Sequence, residues 1–416
     1  MNRAVRCVVM VSAFAVVAPT VAAGDDDDAA HPVEPAKHPK EPSLPEPITA
    51  TEPPALPDEL SFNGGFWLNY TYNLFDATDR DKVGDFGPGN SMFRLGFDAR
   101  KAGVIASFRM RWYSYARVWE YGWVGYRWSG GSQLEVGMTK VPFGVLPYAA
   151  YDYWFNIPYY VGLNNQYDVG VKWTSELVAN RLQLQTGFFK SSDIAAADDL
   201  NRFSYDVVTA TGNPLARNEE TNQVNARLAI THAGVEAGVS GQYGGLYNHD
   251  TRDTGRQWAA AVHINATHGN WSAQLQAMQY GFSPKNAPGE DRNVVVIGAF
   301  ADAYPIAARA RIVEANIGYE IHFSKGIDTL RLYNNYSMLL KDEPSFQDSA
   351  MNVVGFSVLA GPIFGFVDLI SAKNAPYIGA PTGVAFTTGA PDGRWHSMFN
   401  VNLGFYFKTS PLAWAR

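Results

Sequence analysis

"RLQLQTGFF", residues 181–189, repeats with period two. Leu182, Leu184, Thr186 and Phe188 fall on one side of an extended chain, and Arg181, Gln183, Gln185 and Gly187 on the other, because successive strand side chains point to opposite faces. The alternation returns in "MFRLGFDAR" (92–100), "QVNARLAIT" (223–231) and "RIVEANIGYEIHF" (311–323), where Val313, Ala315, Ile317 and Tyr319 oppose Glu314, Asn316, Gly318 and Glu320. One oily and one wet face suit a soluble barrel with its core inside or a membrane barrel with lipid outside.

The wet face decides between them. It carries arginines and glutamates dispersed among glycines, and the ends of the oily bands collect Trp67, Tyr70, Trp112, Trp173, Trp258, Trp271, Tyr280 and Trp395, as interfacial aromatic girdles would. After residue 24 no apolar run is long enough for a membrane helix, so a membrane-spanning form must use strands. The expectation is an all-β fold, a transmembrane antiparallel β-barrel, with Leu184 toward lipid and Gln183 toward water inside. Short connections near residues 101, 130, 178, 232, 268, 325 and 361 alternate with outer connections near 75–90, 116, 141–166, 192–218, 246–255, 282–308, 341–349 and 373–393, giving about sixteen strands. "VVVIGAFADAY", 294–304, reads as a strand too, but a seventeenth would leave the termini on opposite sides, so it is assigned to an outer loop.

Residues 1–23 read as a secretory signal peptide, with Arg3 and Arg6 before an apolar run that ends in small residues at Val21–Ala23. Cys7, the only cysteine, lies within it, so the mature chain has no disulfide framework. Residues 24–59 are rich in proline and acid and lack aromatics, the composition of a disordered leader expected in the periplasm. The whole chain carries −7; loss of Arg3 and Arg6 leaves −9, the leader holds −8, and the 357 residues of the barrel, 60–416, therefore carry about −1. The acidic balance belongs to the leader, and nothing in the barrel suggests a nucleic-acid partner.

The chain closes on "FNVNLGFYF", 399–407, followed by nine further residues. This alternating aromatic strand resembles the closing strand of Gram-negative outer-membrane porins, which the barrel-assembly machinery reads. "GMTKVPFGVLPYAAYDYWFNIPYYVGL", 137–163, is similar to the segment that leads into the infolded third loop of phosphate-selective porins of the O/P type, with Lys140, Pro142, Phe143 and Gly144 standing where that motif has them. The resemblance implies a channel for small hydrophilic solutes in the cell outer membrane, contacts with outer-membrane lipid and lipopolysaccharide, and a homotrimer. No arginine ladder matches, so anion selectivity is not carried over.

No G-x-S-x-G, H-E-x-x-H or Walker loop occurs and the histidines are scattered singly, so neither an enzyme nor a cofactor is expected. Face parity points Arg94, Arg100, Arg109, Arg111, Lys172, Arg181, Arg227 and Arg331 into the lumen, against Asp98, Glu135, Asp168, Glu236, Glu314, Glu320 and Asp368. Two readings stand: opposed basic and acidic walls that set a transverse field, or pairs on adjacent strands that neutralise each other. The constriction is expected in loop 141–166, which holds Tyr148, Tyr151, Asp152, Tyr153 and Trp154 after Lys140; its rings either form a slide for sugars or pack the loop on the wall. A plugged structural or adhesive barrel, blocked by loops 192–218 and 282–308, is the rival class.

Overall fold

The computed structural model describes residues 58–76, 84, 86 and 91–410. The signal peptide and nearly all of the leader lie outside the described residues. The wall begins with β1 (Glu59–Asn73), β2 (Ser91–Lys101), β3 (Val104–Tyr113), β4 (Arg117–Arg127), β5 (Gln133–Lys140), β6 (Tyr167–Val178) and β7 (Leu182–Ser191). After β8 (Asp206–Val207) come β9 (Asn218–His232), β10 (Val235–Asn248), β11 (Thr254–His268), β12 (Trp271–Ser283), β13 (Val294–Ala299) and β14 (Asp302–Ala307). The chain ends with β15 (Arg309–His322), β16 (Thr329–Lys341), β17 (Ser349–Ala360), β18 (Ile363–Lys373) and β19 (Trp395–Lys408).

Sixteen of these strands close into one antiparallel barrel, sealed where β1 meets β19 with Phe66 opposite Phe405. β8, β13 and β14 form a separate three-stranded sheet. The segment 294–304 is thus extended yet outside the wall, as the position of the termini required. Asp58 and Glu59, assigned from composition to the leader, belong to the barrel's turn-side rim: Glu59 pairs with Arg100 at 2.6 Å and Asp58 accepts from the Ala102 backbone N–H at 2.9 Å.

The outer surface is apolar along the strands. Phe66, Leu68, Leu95, Phe188, Val224, Val262, Val313 and Leu403 are exposed, far more contiguous apolar surface than a water-soluble exterior carries, so this face meets lipid. Trp258, Trp271 and Trp395 are exposed as girdle residues should be. Trp67 and Tyr280 are not: Trp67 shares parity with Ser61, Asn63 and Asn69, Tyr280 with Gln274 and Gln276, and all are buried inside. Trp67 packs on Tyr113 and Tyr153, with centroids 6.0 and 5.4 Å away, and the Tyr280 hydroxyl donates to the Ala307 carbonyl at 3.0 Å.

The inner wall has two zones. Going toward the long loops, Gln274 and Gln276 of β12 give way to Met278, Tyr280 and Phe282; Asn316 and Glu314 of β15 to Ile312 and Ala310; Asp368 of β18 to Ile370 and Ala372; and Asn402 and Asn400 of β19 to Met398, all buried. These apolar inner positions share one core with Phe143, Ile157 and Tyr160 of loop 141–166 and with Val295, Ile297, Tyr304 and Ile306 of the β13–β14 hairpin. A water-facing inner wall, expected over the whole height, is therefore confined to the turn-side part of these strands, because infolded loops cover the rest.

Candidate functional site

Loop 141–166 is fastened to the inner wall by its backbone. The Gly144 N–H donates to Ser240 Oγ at 3.1 Å and the Val145 N–H to Gln276 Oε1 at 3.1 Å, while Arg227 Nε donates to the Gly144 carbonyl at 2.8 Å. Farther along, Gln274 donates to the Tyr148 carbonyl at 3.1 Å, Asn316 to the Ala149 carbonyl at 3.0 Å, and the Ile157 N–H to Ser337 Oγ at 3.1 Å. The polar inner residues of β9 to β16 thus satisfy a buried loop backbone, which has no water to bond instead. Gly144 has φ +62°, and a Cβ there would meet Gln276 Oε1 at 2.6 Å, so the approach requires glycine.

The aromatic residues of the loop pack it in place. Tyr151 lies under Arg331, whose guanidinium carbon is 5.2 Å from the ring centroid; Tyr153 touches Trp67 and, at 6.1 Å, Phe366; the Trp154 carbonyl accepts from the Tyr160 hydroxyl at 2.6 Å. Lys140 donates to the Pro147 carbonyl at 3.0 Å and to Asn165 Oδ1 at 2.7 Å, and its ammonium sits 4.7 Å over Tyr148 and 4.8 Å over Tyr167. It ties the two ends of the loop together. Asp152 accepts from the Phe155 N–H at 2.5 Å and from Asn335, and burial pushes its carboxyl up to about 6.

The arginines expected on β2 and β3 do converge. Arg94, Arg109 and Arg111 project inward together, Arg109 almost completely buried. Sequence parity missed the common partner of Arg109 and Arg111, Glu120 of β4. Across the β3–β4 ladder Arg109 faces Tyr121 while Met110 faces Trp119, so Glu120 is the extra residue of a β-bulge. The bulge turns Glu120 and Tyr121 both inward. Glu120 lies 3.3 Å from Arg109 Nη1 and 2.6 Å from Arg111 Nε, leaving the group at +2. Each arginine also covers a ring: Arg94 over Tyr406 at 4.6 Å, Arg109 over Tyr121 at 5.0 Å, and Arg111 over Phe203 at 4.7 Å.

Elsewhere the inward charges pair with neighbours. Lys172 meets Glu135 at 2.8 Å, Arg227 meets Glu236 at 2.5 Å with His263 3.2 Å from the same carboxylate, and Arg331 donates through Nε to Glu320 at 2.8 Å. Arg181 lies on the β6–β7 turn, exposed, beyond the last residue of β7 that faces the lumen. Glu314 is bonded instead to amides: it accepts from Asn156 at 2.6 Å, Asn316 at 2.7 Å and Gln276 at 2.6 Å. Asp368 accepts from Tyr333 at 2.6 Å and Asn400 at 3.1 Å. Among the described residues none of Asp152, Glu314 and Asp368 has an ion-pair partner. Local pairing accounts for most charges, while a surplus of cations remains on β2–β4 and of carboxylates under the loop on β15–β18.

Parity also passed over a group where an infolded segment meets the wall strand β9. Arg202, Asp206 and Glu220 are buried together: Asp206 is 3.4 Å from Arg202 and accepts from Gln166 at 3.1 Å, and Glu220 accepts from the Val207 N–H at 3.0 Å. Arg202 lies outside the strands and Asp206 in the two-residue β8, where no alternation marks them, and Glu220 lies on β9 beyond a bulge at Asn222–Gln223 that reverses the parity read from "QVNARLAIT".

Neither a protein-family model nor a curated protein matches the chain. In structure the chain is similar to the outer membrane channel DcaP of Acinetobacter baumannii, with 12% identity, a TM-score of 0.54, and 85% of this chain and 97% of that one covered. OmpT of Vibrio cholerae, an outer membrane protein solved in trimer form, gives 11% identity and a TM-score of 0.52 over 84% and 99% of the two chains. OmpF of Salmonella typhi, in complex with daunomycin, gives 10% and 0.53 over 84% and 98%. At such identities the likeness is one of fold, and it is a likeness to outer-membrane barrels.

Proposed function

We propose that the chain is a porin of the Gram-negative outer membrane, a passive channel for small hydrophilic solutes narrowed by infolded loops. The observation that carries this reading is the closed barrel with an apolar exterior and a charged inner wall to which loop 141–166 is bonded. The solved barrels of similar fold support the outer membrane as its place and a homotrimer as its assembly. Strand β19, with Phe399, Phe405 and Phe407, is the segment for the barrel-assembly machinery to read. The inner wall combines an arginine group at +2 with carboxylates on the far side, so discrimination between small anions and cations is weak; phosphate preference, suggested by resemblance alone, is the finer alternative. Purified folded protein in a planar bilayer should give small, stable conductance steps, and their absence would sink the channel reading.

The rival reading of a plugged barrel is favoured by one observation, the dry core between the loops and the outer half of the inner wall. Deleting 294–307 separates the two. A channel already conducts before the deletion, whereas a plugged barrel conducts only after it.

A further inference from the structure

Outside the lumen, a cleft of about 500 Å³ opens at the loop end of β10–β12 and β15, with Tyr243, Arg256, Lys285, Arg292 and Arg309 in its lining. Arg256 ends the lipid-facing run Ile264, Val262, Ala260, Trp258 of β11, and Arg309 ends the corresponding run Ile317, Ala315, Val313, Arg311 of β15. The ladder sets Arg256 opposite Ser283 and Arg309 opposite Gly281, so the two flank the end of β12. Lys285 and Arg292 come from the connection above.

The four cations have no carboxylate in the cleft, and among the described residues none of them is ion-paired. Of the neighbouring acids, Asp342 lies 3.6 Å from Arg311, and Asp342 and Glu343 line, together with Arg309, a small pocket beside the cleft. Like charges gathered in one concave site call for an anion, and arginines match phosphate oxygens in pairs. Just below, by about 7 Å of strand rise per two residues, sits exposed Trp258, and below that Val262 and Ile264. A soluble anion has no use for that apolar track, whereas an acyl-bearing one would lie along it.

We propose that this cleft binds a phosphate group of a phosphorylated glycolipid in the outer leaflet of the outer membrane. The inference rests on the membrane placement given above and not on conduction. Full-length folded protein in detergent is mixed with purified bis-phosphorylated lipid A, its dephosphorylated form, or inorganic phosphate, and bound lipid is measured by native mass spectrometry. Arg256→Ser/Arg309→Ser should lower lipid A binding about ten-fold or more, the loss of two charge-assisted hydrogen bonds. Lys101→Ser/Lys325→Ser, which removes two cations at the turn-side rim, should not. Heat-modifiable gel migration establishes folding, and Lys285→Ser/Arg292→Ser, confined to a loop, serves if the strand variant does not fold. Equal binding by the cleft and rim variants, or equal binding of the dephosphorylated lipid, overturns the proposal. Displacement by inorganic phosphate at concentrations matching the lipid overturns the lipid assignment in favour of a soluble ligand. Binding without conduction would remove the porin reading and leave this site standing.

Discussion

Glu120→Gln is the sharpest perturbation of the arginine group. The carboxylate is almost fully buried between Arg109 and Arg111, and removing one partner of a buried ion pair costs about 3–5 kcal/mol. The change also raises the group from +2 to +3. At about 8 Å in water one unit charge is worth about 0.5 kcal/mol to a passing monovalent ion, and a Debye length of about 10 Å at 0.1 M salt roughly halves that. About 0.25 kcal/mol is a factor of about 1.5 for anions and its inverse for cations, so the permeability ratio moves about two-fold toward anions. In a tenfold salt gradient, where ideal selectivity is worth about 59 mV for a monovalent ion, the reversal potential should shift by about 15 mV. The double variant Arg109→Gln/Glu120→Gln restores +2 and should return the potential to the wild-type value while regaining part of the stability. If the single variant leaves the potential unmoved, or the double variant shifts it as far as the single one, the arginine group does not face the ion path.

Gly144→Ala should loosen loop 141–166, because its Cβ would meet Gln276 Oε1 at 2.6 Å on a backbone with φ +62°; a loss of about 1–3 kcal/mol is expected, read as faster protease cleavage within 141–166. Burial makes Asp152 hold its proton to about 6 in the folded loop, above the ordinary aspartate value of 3.8. Between those values the folded form binds more protons, so its contribution is complete at low pH and lost as pH rises through 6; Asp152→Asn should flatten thermal stability against pH over that window, and an unchanged slope would exclude the group. Residues 24–57 should be trimmed by protease in permeabilised cells with the barrel left intact, since their composition offers no apolar surface to bury; protection of the segment would count against the leader reading.

The wall was legible because period-two alternation survives wherever one face meets lipid. Leu184, Val224 and Val313 have no alternative to the outer surface, and a one-residue slip would bury Arg227 or Glu314 in hydrocarbon. The inner face obeys no such constraint. On β12 it runs Gln274, Gln276, Met278, Tyr280, Phe282, and the change from amide to apolar says that something dry sits beside the second half. That signal was present in the sequence but was hidden by the assumption that a lumen is wet. Tyr280 and Trp67 were misplaced for the same reason: an aromatic near a strand end suggests an interface, and only its parity tells which side of the wall it occupies.

Glu120 shows where parity itself gives out. In "RVWEYGWVGYR" strict alternation cannot place both Glu120 and Tyr121 inside, and nothing local announces the extra residue. What could have flagged it is charge: face parity sets four inward cations of β2 and β3, Arg94, Arg100, Arg109 and Arg111, against Asp98 alone, an excess that calls for a further counter-charge. The nearest glutamate in sequence is Glu120, and a one-residue bulge is the smallest change that brings it inside. The four cations of the outer cleft have no such completion: among the described residues no acid lines the cleft with them and none is ion-paired to them. That difference separates a structural cluster, completed from within the fold, from a site that is completed from outside it.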